Sequence, residues 1–189
     1  MIKLTLLTLL SLFFTHAAFA CFLGDTQIKM ANGKYKVVKD IVQGDQVADM
    51  SPKSSVGNIS QGSADIYFSS GSQDSSQNSM LLIEFGASGR IVVTFDHVFP
   101  TASGKFVKAS DLRPGDQLIS EDGKPVNLKS MSSGYFRGGV HNITAQSDLN
   151  PDNFVIANGI WSGTYKHQMY WNYGSIQDSN VFDDFPLNH

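Results

Sequence analysis

Apolar and polar residues alternate over short stretches through most of this chain, and this pattern predicts β-strands. Residues 80–85 and 90–94 are predicted to form a β-hairpin around the turn 86–89, which contains two glycines. A further hairpin turn is predicted at residues 121–123, and a strand at residues 154–156. No long stretch with helical periodicity follows residue 20. The predicted fold class is therefore all-β.

The chain also repeats itself at an offset of 71 residues. Segments 31–47 and 102–118 align without a gap, and seven of the seventeen positions are identical (Ala, Gly, Lys, Asp, Gly, Asp and Gln). Each copy has a turn glycine, Gly33 or Gly104, where the absence of a Cβ permits a positive φ. Two copies are too few for a solenoid. The repeat therefore predicts one domain with pseudo-two-fold symmetry.

A serine-rich stretch separates the two copies. Residues 51–79 contain eleven serines and a single basic residue, which predicts a solvated loop. Within it, residues 64–68 have the pattern of a strand, whereas residues 69–79 have the composition of a flexible connection.

The start of the chain has the features of a secretory signal peptide over residues 1–20. Lys3 supplies a positive charge, residues 4–14 are mainly apolar, and Ala18-Phe19-Ala20 fits the pattern that precedes a signal-peptidase cut. The apolar run is too short to span a bilayer comfortably. We therefore expect a secreted protein that keeps no stable membrane anchor after signal removal, with Cys21 as its first mature residue.

The composition narrows the range of partners and cofactors. The formal net charge is −3 over 189 residues, and this mild acidity argues against a nucleic-acid partner. A single cysteine excludes an intrachain disulfide and any zinc site that needs two or more cysteines. The histidines and carboxylates show no metal-binding spacing, so we expect neither a metal nor another cofactor.

Cys21 is the only thiol, and three hypotheses concern it. It could be lipidated as in a bacterial lipoprotein, it could be a structural residue, or it could be a nucleophile. Phe19 is bulkier than the residue expected before a lipidated cysteine, which disfavours the first hypothesis. The choice between the other two depends on the rest of the sequence.

Two motifs bear on that choice. Cys21-Phe22-Leu23-Gly24-Asp25-Thr26 opens the mature chain, and Thr94-Phe95-Asp96-His97 follows a predicted strand just before the second copy. Together with the Gly-Asp pair of each copy, these motifs resemble the Hint module, the self-processing domain of inteins and hedgehog proteins. The resemblance assigns residues 21–165 to a Hint domain and leaves residues 166–189 as a C-terminal tail. It implies a compact pseudo-two-fold fold of curved strands and hairpins.

The same resemblance implies an N–S acyl shift. In Hint modules the opening cysteine attacks the carbonyl carbon of the residue before it and converts the peptide bond into a thioester. Cys21 would be the nucleophile, His97 would protonate the leaving amide nitrogen, and Thr94 would hold the scissile amide. Asp96 would orient His97 or cap a turn. His141 has no matching motif, and we expect it to have a structural role.

The end of the domain departs from that of splicing inteins, which finish in His-Asn. Asn158-Gly159-Ile160 matches the final core strand of the family, but no His-Asn follows. The ending is thus closer to the hedgehog type, which implies release of an upstream polypeptide in cis without full splicing. Only twenty-four residues follow Tyr165 (189 − 165), so a sterol is not the expected second nucleophile. Water or a small thiol is expected instead.

The sequence is compatible with two functions. The first is autoprocessing, a single-turnover self-cleavage rather than the activity of a turnover enzyme. The second is a catalytically silent secreted Hint-fold domain that acts by binding. A signal-peptidase cut after Ala20 would leave Cys21 with no peptide carbonyl to attack, and this consideration favours the second function.

Overall fold

The computed structural model describes residues 22–50, 58–72, 74–146, 154–172 and 174. Fourteen strands, two 3₁₀ turns and one helix lie within these residues. The strands are β1 (Phe22–Leu23), β2 (Gln27–Lys29), β3 (Tyr35–Val37), β4 (Gln46–Met50), β5 (Gln61–Gly71), β6 (Gln77–Phe85), β7 (Gly89–Val93), β8 (Val98–Pro100), β9 (Phe106–Lys108), β10 (Gln117–Ile119), β11 (Pro125–Arg137), β12 (Val140–Gln146), β13 (Val155–Ala157) and β14 (Ile160–Ser162). The helix is α1 (Tyr165–Asn172).

The prediction of an all-β fold is confirmed, and α1 is an addition that the sequence pattern missed. This helix has eight residues, about two turns, which is too short to produce a recognisable helical periodicity. The part of the chain that the structure describes contains no helix that is long and apolar enough to cross a membrane.

The strands form three antiparallel sheets. The largest has the strand order β10-β11-β6-β7-β1-β12-β5-β4, the second has the order β14-β13-β2-β3, and the third pairs β8 with β9. The predicted hairpin is the β6–β7 pair, in which Phe85 lies opposite Gly89. The predicted turn at residues 121–123 joins β10 to β11, so both hairpin predictions are confirmed.

The pseudo-two-fold repeat is visible in the order of the elements. β2, β3, the 3₁₀ turn Val38–Asp40 and β4 recur, each 71 residues later, as β8, β9, the 3₁₀ turn Ala109–Asp111 and β10. The glycine of each Gly-Asp pair has a positive φ, 90° at Gly44 and 99° at Gly115. Each of these glycines donates its N–H over 2.9 Å to a residue of the long strand that follows its copy. The predicted duplication therefore extends to backbone conformation and hydrogen bonding.

The structure extends this equivalence towards the amino terminus, beyond the alignable sequence. Thr26 N–H donates to the carbonyl of Leu23 over 2.9 Å, and 71 residues later His97 N–H donates to the carbonyl of Thr94 over 3.2 Å. The opening motif and the histidine motif thus form the same turn in the two copies.

The symmetry axis passes next to this pair of turns. Phe22 of β1 is opposite Val93 of β7, and these residues are equivalent at the offset of 71 (22 + 71 = 93). Residues that exchange under a two-fold operation can face each other only across its axis. The axis therefore runs between β1 and β7.

The predicted serine-rich loop is wrong in part. β5 continues to Gly71 and β6 begins at Gln77, so much of residues 69–79 is strand. Ser69 lies opposite a residue of β12, and such pairing supplies the backbone with hydrogen bonds while most side chains of β5 stay exposed. A composition rule that counts polar residues cannot recognise a strand whose side chains face water. Residues 51–57 lie outside the described residues.

Two hydrophobic clusters fill the interior. The larger contains Phe22, Phe99 and most of the buried aliphatic side chains of the eight-stranded sheet. The smaller contains Phe106, Phe154 and Trp161, and partly buried aromatic residues of α1 pack against it. The helix therefore belongs to the packed domain.

Candidate functional site

The turn between β7 and β8 carries three of the four predicted site residues. Thr94, Asp96 and His97 lie on it, and the hydrogen bond from His97 N–H to the carbonyl of Thr94 closes it. The structure thus brings these three residues together through local geometry. Cys21, the fourth, lies outside the described residues, and its chain neighbour Phe22 is the first residue of β1.

His97 lies in the interior with one ring nitrogen held. The residue has 0% of its surface exposed, and its Nε2 is 2.7 Å from Oγ of Ser162. The Phe22 ring centroid is 4.6 Å from the imidazole centroid, and that of Phe99 is 4.9 Å from it. Nδ1 of His97 is buried and has no hydrogen-bond partner among the described residues. The imidazole is therefore fixed at one nitrogen and unsatisfied at the other.

The surroundings of His97 determine its protonation. Burial, the larger cause, and the nearby His167 together lower the pKa of His97 from 6.5 to about 3. The imidazole is therefore neutral at pH 7, with one nitrogen as donor and the other as acceptor.

Asp96 contacts groups other than His97. Gln168 of α1 donates from Nε2 to the Asp96 carboxylate, and the Thr94 side chain forms a second hydrogen bond with it. Burial raises the pKa of Asp96, and the bond with Thr94 opposes that shift. Among the contacts of the described residues, Ser162 holds the imidazole and Asp96 links the turn to α1.

α1 reaches the site through an unusual cap. Thr164 precedes the helix, and its N–H donates to Nδ1 of His167 over 3.0 Å. This contact is one half of a capping box, with histidine in place of the usual glutamate, while His167 N–H donates to the Thr164 carbonyl instead of the side chain. The Phe154 ring centroid lies 4.3 Å from that of His167 and packs the first turn against the smaller cluster. The cap lies at the start of the helix, and Gln168, the next residue after His167, contacts Asp96.

The glycine of the opening motif is required by a close approach. A Cβ at Gly24 would lie 2.2 Å from the carbonyl oxygen of Gly138 and 3.1 Å from Cδ2 of His141. A Cβ at Gly71 would lie 2.1 Å from Nδ1 of the same imidazole. His141 thus fits between two glycines, in agreement with the structural role expected for it.

Two buried polar residues near the site were missed by the sequence analysis. Ser162 is 0% exposed in β14, and Asn142 is a buried residue of β12 whose Oδ1 has no hydrogen-bond partner among the described residues. The available signal was a polar residue within a mainly apolar stretch. Such a residue needs a hydrogen-bond partner, but the sequence does not reveal which one. The described residues contain no group of three or more His, Cys, Asp or Glu side chains that could hold a metal ion.

The architecture is that of the Hint fold, as predicted. A bacterial intein-like domain from Clostridium thermocellum has a TM-score of 0.62 at 20% identity, over 76% of this chain and 98% of that one. A DnaB intein from Synechocystis has a TM-score of 0.61 at 17% identity, over 77% and 98%. The gp41-1 intein has a TM-score of 0.59 at 18% identity, again over 77% and 98%.

These similarities cover almost the whole of each solved domain, so the shared fold is complete rather than local. At such low identities they establish the fold alone. No protein-family model and no curated protein matches this sequence.

Proposed function

We propose that this chain is an autoprocessing domain that cleaves the peptide bond before Cys21 through an N–S acyl shift. One observation carries the proposal. A fully buried histidine, His97, has Nε2 bound to Ser162 and Nδ1 without a partner among the described residues. Its ring also packs against Phe22, the residue that follows Cys21. A neutral imidazole with one nitrogen unpaired among the described residues is suited to moving a proton during acyl transfer.

The strand register supports the role proposed for Thr94. Phe22 lies opposite Val93, and the two strands are antiparallel. Cys21 is the chain neighbour of Phe22 and Thr94 is that of Val93, so the pairing joins the chain neighbours of the two proposed site residues. We propose that Thr94 holds the amide that is to be cleaved.

The proposed step forms one bond to the carbonyl carbon and breaks another. The Sγ of Cys21 bonds to the carbonyl carbon of residue 20, and the bond from that carbon to the Cys21 nitrogen breaks. His97 supplies a proton from Nδ1 to the departing nitrogen, and the thiol proton replaces it on the imidazole. The products are a thioester and a free amine, and the net change is transfer of the thiol proton to nitrogen. Water or a small thiol then cleaves the thioester.

We propose cleavage without splicing. The residues after β14 carry no His-Asn pair, and Thr164 leads into a helix packed on the domain. An upstream polypeptide in cis is the partner, and residues 1–20 are proposed to direct the chain to secretion. Sterol transfer is not part of the proposal.

The test is a folded reporter fused directly upstream of Cys21 in place of residues 1–20. The intact mass of the fusion is followed with and without added thiol. We expect thiol-dependent release of the reporter from the wild type and none from Cys21→Ala. Release that persists in Cys21→Ala would overturn the proposal. A folded wild-type fusion that stays uncut with several junction residues would favour the silent binding domain instead.

A further inference from the structure

We propose that Ser162 is a positioning residue for the acyl shift, whose hydroxyl donates to Nε2 of His97 and keeps the ring proton on Nδ1. This inference deepens the proposed function and rests on it for its catalytic meaning. The arrangement of the hydrogen bond can nevertheless be tested without any cleavage.

The contact is short and excluded from water. Oγ of Ser162 lies 2.7 Å from Nε2 of His97, and both residues are 0% exposed. Each side chain forms its one hydrogen bond within the described residues to the other. Neither group can exchange this partner for solvent.

The direction of the hydrogen bond between Ser162 and His97 follows from how many buried polar groups each direction leaves unpaired among the described residues. If Nε2 carried the proton, it would donate to Ser162, and two buried groups would remain unpaired: the serine O–H and the lone pair of Nδ1. If Ser162 donates to Nε2, only the Nδ1–H of His97 remains unpaired. Since each unpaired buried polar group is costly, the second arrangement is favoured. It leaves an N–H donor at the nitrogen that the proposed step uses.

The backbone holds both partners in place. Ser162 is opposite Val155 in the β13–β14 pair. Gly163 N–H donates over 3.0 Å to the carbonyl of Val98, the residue that follows His97. β14 is thus tied to the beginning of β8 within one residue of each side chain. This backbone contact keeps the two segments that carry the hydroxyl and the imidazole side by side.

A hydroxyl also suits both protonation states of the ring. It donates to Nε2 when His97 is neutral, and by rotating it can accept from Nε2–H when the imidazole is protonated. The contact, and with it the ring orientation, is therefore kept in both protonation states.

The first test measures reporter release from the fusion. Ser162→Ala is expected to slow thiol-dependent release by about 10- to 100-fold, since misplacing a reacting group by about an ångström has an effect of that order. Ser162→Thr retains the hydroxyl and is expected to restore most of the rate. Thr101→Val is the matched control, because it removes another buried hydroxyl, one that donates to the carbonyl of Lys105 over 2.8 Å. An unchanged rate in Ser162→Ala would overturn the positioning role.

The second test is independent of cleavage. Nitrogen-15 NMR of the imidazole, with the resonances assigned through a His97 variant, distinguishes the two tautomers. We expect the wild type and Ser162→Thr to carry the proton on Nδ1, and Ser162→Ala to gain the Nε2–H form. A wild type with the proton mainly on Nε2 would overturn the inference. If the wild-type fusion is never cleaved but the tautomers behave as expected, the proposed function fails while the Ser162 contact stands.

Discussion

The turns at residues 23–26 and 94–97 have equivalent backbone hydrogen bonds. They differ in the side chains at equivalent positions and in the partners of those side chains. In each, the last residue accepts a hydrogen bond from the start of the following 3₁₀ turn: Thr26 from Val38 N–H over 2.8 Å, and His97 from Ala109 N–H over 2.7 Å. The carboxylates at the equivalent positions 25 and 96 meet different surroundings. The duplicated backbone therefore does not explain the site, and the difference must come from what packs on each copy.

The two aspartates show this difference directly. The Asp25 side chain is 68% exposed and forms a 2.8 Å ion pair with Lys39. Asp96 is half-buried, and Gln168 of α1 donates to its carboxylate. Burial raises the pKa of Asp96, and the contact with Gln168 joins this carboxyl group to the helix. One short helix thus gives the second turn an environment that the first lacks.

The residues at positions 26 and 97 differ in the same way. Both are buried, but Thr26 carries no titratable group, whereas His97 lies between Phe22 and Phe99 and is held by Ser162. Burial suppresses the charge of the imidazole, and a strongly shifted pKa of this kind is a common feature of functional sites. The comparison indicates that the first copy serves as scaffold and the second as candidate site.

The strongest test of the difference between the two turns is to truncate His97 and its equivalent Thr26 separately in the reporter fusion. His97→Ala is expected to reduce thiol-dependent release by about 10²–10⁴-fold, the usual contribution of general acid–base catalysis. Thr26→Ala removes a buried residue at the same backbone position and should leave the release rate close to that of the wild type. Release rates from intact mass, with folding checked by circular dichroism, test this pair. Equal losses in both variants would show that the two turns matter only for structure.

The burial of His97, which has no titratable counterpart at Thr26, should also make the free energy of unfolding depend on pH, with a smaller effect than the loss of cleavage. His97 has a pKa of about 3 in the folded chain and about 6.5 when unfolded, so between these values the unfolded chain binds the extra proton. The stabilisation is complete above pH 6.5 and is lost as the pH falls, at a slope of about 1.4 kcal/mol per pH unit. Urea unfolding of wild type and His97→Gln at pH 4 to 7 gives both slopes.

Asp96 has a raised pKa and contributes a slope of the opposite sign, but it is present in both proteins. The difference between the two curves therefore isolates the histidine. Parallel curves would mean that His97 titrates normally in the folded chain.

The shared backbone predicts equal penalties at equivalent glycines. Gly44 and Gly115 have φ values of 90° and 99°, and a Cβ added at either would meet no atom within 4 Å. Alanine should therefore destabilise each turn through backbone strain alone, by about 1–2 kcal/mol. Free energies of unfolding for Gly44→Ala and Gly115→Ala test the equivalence. Clearly unequal penalties would show that the two turns differ in more than their side chains.

The smallest effect is expected at the exposed ion pair. Asp25→Asn should change the free energy of unfolding by less than about 0.5 kcal/mol, because ion pairs in water are weak and screened. Lys39 also keeps a second partner, Asp74, at 3.2 Å. Thermal unfolding at low and high salt measures the effect, and any difference should shrink as salt is added. A large, salt-independent loss would mean that Asp25 acts in the fold as Asp96 does.

Local sequence was sufficient for the features that depend on near neighbours. The hairpin turn at residues 86–89, the turn glycines of the repeat and the clustering of Thr94 with His97 all follow from short-range geometry. Residues 69–71 and 77–79 were mispredicted because their strand character depends on pairing with β12 and β11, to which polar side chains give no clue.

By itself, the sequence determined that this protein is all-β and duplicated, and it identified the turn that carries the histidine. Only the tertiary structure decided how that histidine is held, since Ser162 is 65 residues away along the chain. It also decided that α1 covers Asp96, through a contact across 72 residues. The physical reason is that a turn is set by the conformational preferences of a few adjacent residues. Burial and hydrogen-bond partners, by contrast, depend on which distant segments pack together.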